Sequence, residues 1–251
     1  MRLLRLLAEL LYPRGVRCLA CGGMSHGDML CDACAHDMEV CRLRPPLCPV
    51  CGYPVRRDGC AFCRRNGAIS ARSVWRHEGA PAQLVRALKF HALRDAAPTL
   101  IDGMAACASE LLGHTRATVT WVPMPRRRML ARGVDHARLL AEGVAERLQL
   151  PCDPLLDRTR TPHLTQRSSD RAGRIRNAAH AYTCGHAEGA VLLIDDVLTT
   201  GSTARSCCLS LLEGGAQCVY VVTATRSVRQ GDGGKEGQHH VSGKAGPSAR
   251  F

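Results

Sequence analysis

The chain has little aromatic surface: three Phe, four Tyr and two Trp, 4% of 251 residues. Its core must therefore be built mostly from Leu, Val and Ala. Lysine is nearly missing, with only Lys89, Lys235 and Lys244. No apolar run is long enough to cross a bilayer. The leucine-rich opening is interrupted by Arg5 and Glu9 and has no small-residue cleavage site after it, so it is read as a short amphipathic helix rather than a signal peptide. Leu3, Leu6, Leu7 and Leu10 share one face of that helix. The expectation is a cytoplasmic protein without a membrane span. The sequence has no GxxxxGK[ST] motif and no GxGxxG opening a helix, which argues against a nucleoside-triphosphate P-loop and a dinucleotide fingerprint.

Arginine and cysteine are abundant. The formal charge is +12, from 34 Lys and Arg against 22 Asp and Glu, which favours phosphorylated or polyanionic partners. Charge alone does not establish nucleic-acid binding, because base composition can also enrich arginine. Of 15 cysteines, eight form four Cys-x-x-Cys pairs in the first quarter of the chain. They are Cys18 and Cys21, Cys31 and Cys34, Cys48 and Cys51, and Cys60 and Cys63. Each pair sets two thiolates on one side of a tight knuckle, and two knuckles complete a tetrahedron around Zn²⁺. Two structural zinc ions with sequential ligands are the simplest reading; interleaved pairing stays open. Cys41, His26 and His36 are read as bystanders. The expected organisation is an N-terminal helix and double zinc-ribbon module over 1–70, an α/β domain over 71–228, and a disordered tail over 229–251.

The α/β reading rests on the stretch from Val191 to Thr203, VLLIDDVLTTGST. Val191–Ile194 reads as a strand buried on both faces. The adjacent carboxylates Asp195 and Asp196 follow, then the loop Thr199, Thr200, Gly201, Ser202 and Thr203. A helix is expected over Ala204–Glu213, stopped by Gly214 and Gly215, and a further strand over Val219–Val222. Strand, loop, helix and strand make a βαβ unit and imply a parallel sheet. A small, hydroxyl-rich loop at a helix start presents free N–H groups to a phosphate. Two carboxylates beside it suit the vicinal hydroxyls of a sugar.

Upstream, the stretch 64–72 reads as a linker. Helices are expected over Pro81–Phe90 and Pro98–Leu112, and Lys89 ends the first, placed either near the cleft or in solvent. Val119–Val122 reads as a strand running into Pro123-Met124-Pro125 and then Arg126, Arg127 and Arg128, a basic loop suited to pyrophosphate. A helix over Asp135–Leu150 carries the apolar stripe Leu139, Leu140, Val144 and Leu148. The polar, Arg-rich segment from Arg158 to Asn177 reads as a loop or hood over the site.

The Asp195–Asp196 and Thr/Gly stretch resembles the phosphoribosyl-pyrophosphate (PRPP) signature of type I phosphoribosyltransferases. With the four Cys pairs it is similar to the ComF family, a zinc ribbon joined to such a domain. Further matches are Leu88-Lys89-Phe90, Val122-Pro123, the Arg132-Gly133 motif, Thr161 with Gln166, and Arg174 with Asn177. Relatives usually follow Arg-Gly with Phe-Asn-Gln, where this chain has Val134, Asp135 and His136. The resemblance implies a link to DNA uptake and natural transformation, PRPP bound with Mg²⁺, and transfer of the phosphoribosyl group to an undefined acceptor, a glycosyltransferase reaction. It assigns Asp195 and Asp196 to the ribose hydroxyls and to the chemistry. Thr199–Thr203 fall to the 5′-phosphate and Arg126–Arg128 to the pyrophosphate. The alternative expectation is a non-catalytic PRPP- or nucleotide-binding adaptor for single-stranded DNA or for DNA-uptake and recombination proteins.

Overall fold

A computed structural model describes residues 17–25, 27–55, 59–90, 94–125, 127, 129–130, 133–158 and 181–229. The expected N-terminal helix, most of the hood segment and the tail beyond 229 lie outside the described residues.

Four parallel strands form the central sheet in the order β1-β6-β5-β2. They are β1 (Ala71–Arg76), β2 (Ala117–Trp121), β5 (Ala190–Leu198) and β6 (Cys218–Arg226). The βαβ expectation holds, because β5 leads through α6 (Ser202–Glu213) to β6, its parallel neighbour. β5 is longer than its apolar run suggests. It continues through both aspartates, with Asp195 opposite Thr223 and Val197 opposite Thr225. The carboxylates there have partners of their own: Asp196 Oδ2 meets Lys89 Nζ and His136 Nε2, and Asp195 Oδ1 accepts from Asp196 N.

Helices follow their apolar stripes. α3 (Gly79–Phe90) and α4 (Ala97–Leu112) precede β2, and α5 (His136–Leu148) follows it. α5 starts where Asp135 accepts a hydrogen bond from Arg138 N at 3.2 Å, an N-cap. It stops at Gln149, whose φ of 53° ends the helical run at Leu148, two residues before the expected Leu150. Leu140 and Val144 are buried together with Ala137, Ala141 and Ala145. Small residues share the buried face because α5 packs closely on α4, where a Cβ on Gly143 would stand 2.3 Å from Ile101 Cδ1. A two-stranded antiparallel ribbon, β3 (Leu156–Arg158) and β4 (Tyr182–Cys184), was not anticipated. Three-residue strands carry too few alternations to be legible.

The stretch read as a linker is not one. It contains the end of α2 (Ala61–Asn66) and the start of β1. Together with α1 (Asp32–Cys41), α2 gives the cysteine-rich part helical structure of its own.

Successive residues of β5 point to opposite faces of the sheet. Leu192 and Ile194 join a core that includes Cys18, Cys34, Met38 and Cys41, whereas Val191 and Leu193 join one that includes Cys48, Cys51, Tyr53 and Phe62. Each half of the cysteine-rich part thus contributes to a core on a different face.

Candidate functional site

The eight paired cysteines assemble into two tetrads with sequential membership, Cys18, Cys21, Cys31 and Cys34, then Cys48, Cys51, Cys60 and Cys63. Both are built alike. Cys18 N donates to Gly23 O and Gly22 N back to Cys18 O, each at 2.8 Å. Cys48 N and Tyr53 O, and Gly52 N and Cys48 O, repeat the turn at 2.8 and 2.9 Å. Gly22 and Gly52 adopt φ of 72° and 64°, where glycine avoids the Cβ penalty. Within each tetrad the four sulfurs lie within 4.8 Å of one another. Cys21–Cys31, Cys48–Cys63 and Cys51–Cys60 Sγ separations are 3.8, 3.9 and 3.4 Å. Tetrahedral Zn–S bonds place sulfurs ~3.8 Å apart, so both tetrads fit structural zinc with no coordination position left for chemistry.

The second centre lies where β2 and β5 end. A cleft of about 220 Å³ is lined by Lys89, Val122, Pro123, Met124, Pro125, His136, Ala137, Arg158, Tyr182, Asp195, Asp196 and Thr203. Carboxyl ends of parallel strands are where open α/β sheets hold ligands. Asp196 is 5% exposed. Its Oδ2 is met by Lys89 Nζ and by His136 Nε2, both at 2.7 Å. Burial opposes ionisation of Asp196, but the hydrogen bond from His136 and the Lys89 charge outweigh it and hold the carboxyl below its ordinary range. Asp195 behaves oppositely. Burial, then the Asp196 charge beside it, push its proton affinity up, even though its Oδ1 accepts from Asp196 N at 2.9 Å. Two neighbouring carboxylates thus differ: one is held ionised by two partners, while the other lines the cleft with its negative charge disfavoured.

Beyond β5, Gly201 caps α6 with φ of 79°. Thr200 and Ser202 hydroxyls lie 2.8 Å apart, and Thr199, Thr200, Ser202 and Thr203 are exposed. The start of a twelve-residue helix, where Ser202 N reaches only a long 3.4 Å contact to Thr200 Oγ1, and a row of hydroxyls make an anion-accepting surface. Thr203 lines the cleft directly; Thr199, Thr200, Gly201 and Ser202 lie along the loop next to it. Arg127 is exposed and outside the cleft lining. Arg126 and Arg128 lie outside the described residues.

Lys89, for which the sequence left two placements, is in the cleft. His136 was singled out only as a departure from a motif, and the structure makes it a partner of Asp196. Tyr182 falls outside every expected site element and Arg158 is expected only as the first residue of the hood, yet both line the cleft. They face each other across β3 and β4, with the Arg158 guanidinium 5.6 Å from the Tyr182 ring centroid. Neither lies in a motif, so no local signal identified them.

The fold and these two centres define an α/β protein with a candidate phosphate loop and a paired zinc ribbon. A family model described as a double zinc ribbon domain matches residues 7–66. The DNA utilization protein YhgH of Salmonella typhimurium is 29% identical over 213 residues, 79% of this chain and 91% of that protein. Its counterpart in Escherichia coli K12 is 28% identical over the same shares. The chain is homologous to these DNA utilization proteins over most of its length. Among solved structures, it resembles the orotate phosphoribosyltransferase from Aeropyrum pernix (18% identity, TM-score 0.34, 74% of this chain and 78% of that one). It also resembles the glutamine PRPP amidotransferase from B. subtilis (21%, TM-score 0.39, 55% of this chain and 30% of that one).

Proposed function

We propose that the chain binds PRPP in the cleft at the end of β5 and transfers its phosphoribosyl group to an acceptor, in a cytoplasmic process of DNA uptake or utilisation. The observation that carries this reading is the pairing of Asp195 and Asp196 at a strand end with a glycine-capped, hydroxylated helix start. Asp195 accepts hydrogen bonds from ribose hydroxyls, with Asp196 held rigid behind it by Lys89 and His136. Residues Thr199–Thr203 take the 5′-phosphate. Pyrophosphate lies toward the Pro123–Pro125 loop and the arginines that follow it, Arg126, Arg127 and Arg128. In the transfer, a bond forms from the acceptor's nucleophilic atom to ribose C1 as the bond from C1 to the pyrophosphate oxygen breaks. The electron pair leaves with pyrophosphate.

Asp195 also fits a divalent cation. A nearby Mg²⁺ would relieve the repulsion that raises its proton affinity, and it would supply charge neutralisation on the leaving group. The chain's own contribution is positioning and a fixed electrostatic frame.

Calorimetry of the zinc-loaded protein with PRPP, with and without Mg²⁺, tests the site. Binding that Asp195→Asn abolishes supports it, and binding indifferent to Asp195→Asn and Asp196→Asn refutes it. A second reading, an adaptor that binds PRPP or a nucleotide without turnover and holds single-stranded DNA, draws on the net charge of +12 and on the DNA utilization homologues. Pyrophosphate release in the presence of candidate acceptors favours transfer. Salt-dependent binding of single-stranded DNA without release favours the adaptor.

A further inference from the structure

Arg226, the last residue of β6, is 0% exposed. Its Nη1 donates to Cys51 O at 2.5 Å, and its guanidinium lies 4.8 Å from the ring centroids of both Tyr53 and Phe62. Its Nε and Nη2 are buried without a hydrogen-bond partner, and no carboxylate among the described residues pairs with it. A buried, uncompensated guanidinium is strongly unfavourable. The neighbouring tetrad contains Cys51, itself 0% exposed. Four thiolates around Zn²⁺ carry a net charge of about −2, and Arg226 supplies positive charge beside them.

The same tetrad touches the phosphate loop. Phe62 sits between the ligands Cys60 and Cys63 and is 2% exposed. A Cβ built on Gly201 would stand 2.7 Å from Phe62 Cζ, so the ring rests on the loop backbone. A Cβ on Gly67, just past α2, would stand 2.4 Å from Nη1 of Arg205, whose own N donates to Gly201 O at 2.8 Å. From the other side, Arg226 pairs in register with Leu198, the last residue of β5 before the loop. The loop is therefore held between the Cys60–Cys63 turn and the strand end that Arg226 ties to Cys51.

We propose that Arg226 is the counter-cation of the second zinc centre, and that through Arg226 and Phe62 zinc at Cys48, Cys51, Cys60 and Cys63 sets the phosphate affinity of the Gly201 loop. The link to phosphate affinity rests on the PRPP reading above; the counter-cation role does not. Arg226 and Phe62 are positioning residues.

Zinc release from the full chain to a chromophoric chelator, with PRPP calorimetry in parallel, tests both halves. Arg226→Met is expected to loosen one of two zinc equivalents by at least tenfold and leave the other unchanged, as loss of an outer partner does elsewhere. Release of both as in wild type overturns the counter-cation role. Where Arg226→Met yields no folded protein, Arg226→Lys decides: retained charge keeps both zincs, and loss of one zinc despite the charge overturns it. Phe62→Leu is expected to keep both zincs and weaken PRPP binding several-fold; unchanged affinity overturns the link to the loop. A wild-type protein that fails to bind PRPP refutes the PRPP reading and the loop half with it, while zinc release still decides Arg226.

Discussion

Lys89 Nζ lies 2.7 Å from Asp196 Oδ2, tying the last turn of α3 to the end of β5. The carboxylate is buried and the ammonium largely so, with side-chain exposures of 7% and 20%. Lys89→Met removes one partner of a buried charge whose other partner, His136, remains. The expected loss is about 2 kcal/mol, below the ~3–5 kcal/mol of a fully buried pair. Chemical denaturation at neutral pH measures it, and a variant as stable as wild type would show the pair to be energetically idle. The pH dependence has a definite sign. Asp196 is held ionised below its ordinary range in the folded chain. Its contribution is therefore present above about pH 4 and is lost as pH falls through the depressed folded value. Asp196→Asn is expected to flatten the acid limb of the stability curve.

Asp195 gives the opposite prediction. Its proton affinity is raised on folding by burial and by the Asp196 charge. Its contribution is fully present below about pH 4 and is lost as pH rises through the raised folded value, so ionised Asp195 burdens the ligand-free fold. Asp195→Asn keeps an oxygen to accept from Asp196 N. It is expected to stabilise the ligand-free protein by roughly 1–2 kcal/mol at pH 8, with no gain at pH 4, while PRPP binding disappears. Thermal unfolding across that pH range checks it; destabilisation at pH 8 would count against the electrostatic account.

The contrast between the two aspartates shows how far the sequence reaches. An apolar run, two carboxylates and a Thr/Gly loop announce β5 and α6, because buried parallel strands and helix starts each leave a local signature. The Cys-x-x-Cys spacing announces the tetrads for the same reason. What distinguishes Asp195 from Asp196 is tertiary. Lys89 arrives from α3 and His136 from the first turn of α5, over 100 and 60 residues upstream respectively. Tyr182 and Arg158 enter the cleft on strands of three residues, too short to carry a period. The 64–72 stretch reads as a linker because the last turn of α2 and the first residues of β1 are too short to carry a period there. Arg72 lies along the second ribbon, donating to Pro49 O at 2.8 Å.

Gly201 combines two constraints that substitution separates. Its φ of 79° penalises any Cβ, and Phe62 occupies the place a Cβ would take. Gly189 has a similar φ of 63° but nothing within 4 Å of its Cβ position. Gly189→Ala is expected to cost about 1 kcal/mol from backbone strain alone. Gly201→Ala adds a clash against a buried ring and is expected to cost about 1–3 kcal/mol more, with reduced PRPP affinity. Equal losses at the two positions in urea denaturation would show that Phe62 yields freely.

Zinc removal tests whether the ribbons are appendages or parts of the core. Cys18, Cys34, Met38 and Cys41 pack in the cluster that holds Leu192 and Ile194, and Cys51, Tyr53 and Phe62 in the cluster that holds Val191 and Leu193. Asp37 of α1 also accepts from Ala80 N at 2.6 Å, at the start of the helix whose last turn carries Lys89. A ribbon deprived of metal cannot hold its fold. Its loss here would strip apolar cover from both faces of the sheet and loosen both walls of the cleft. Chelation is therefore expected to lower the stability of the whole chain, with zinc release and loss of sheet structure coinciding in a single thermal transition. Far-UV circular dichroism followed alongside released zinc makes the comparison. Ribbon melting well before an unaltered sheet transition would show that the two parts fold independently, despite their shared clusters.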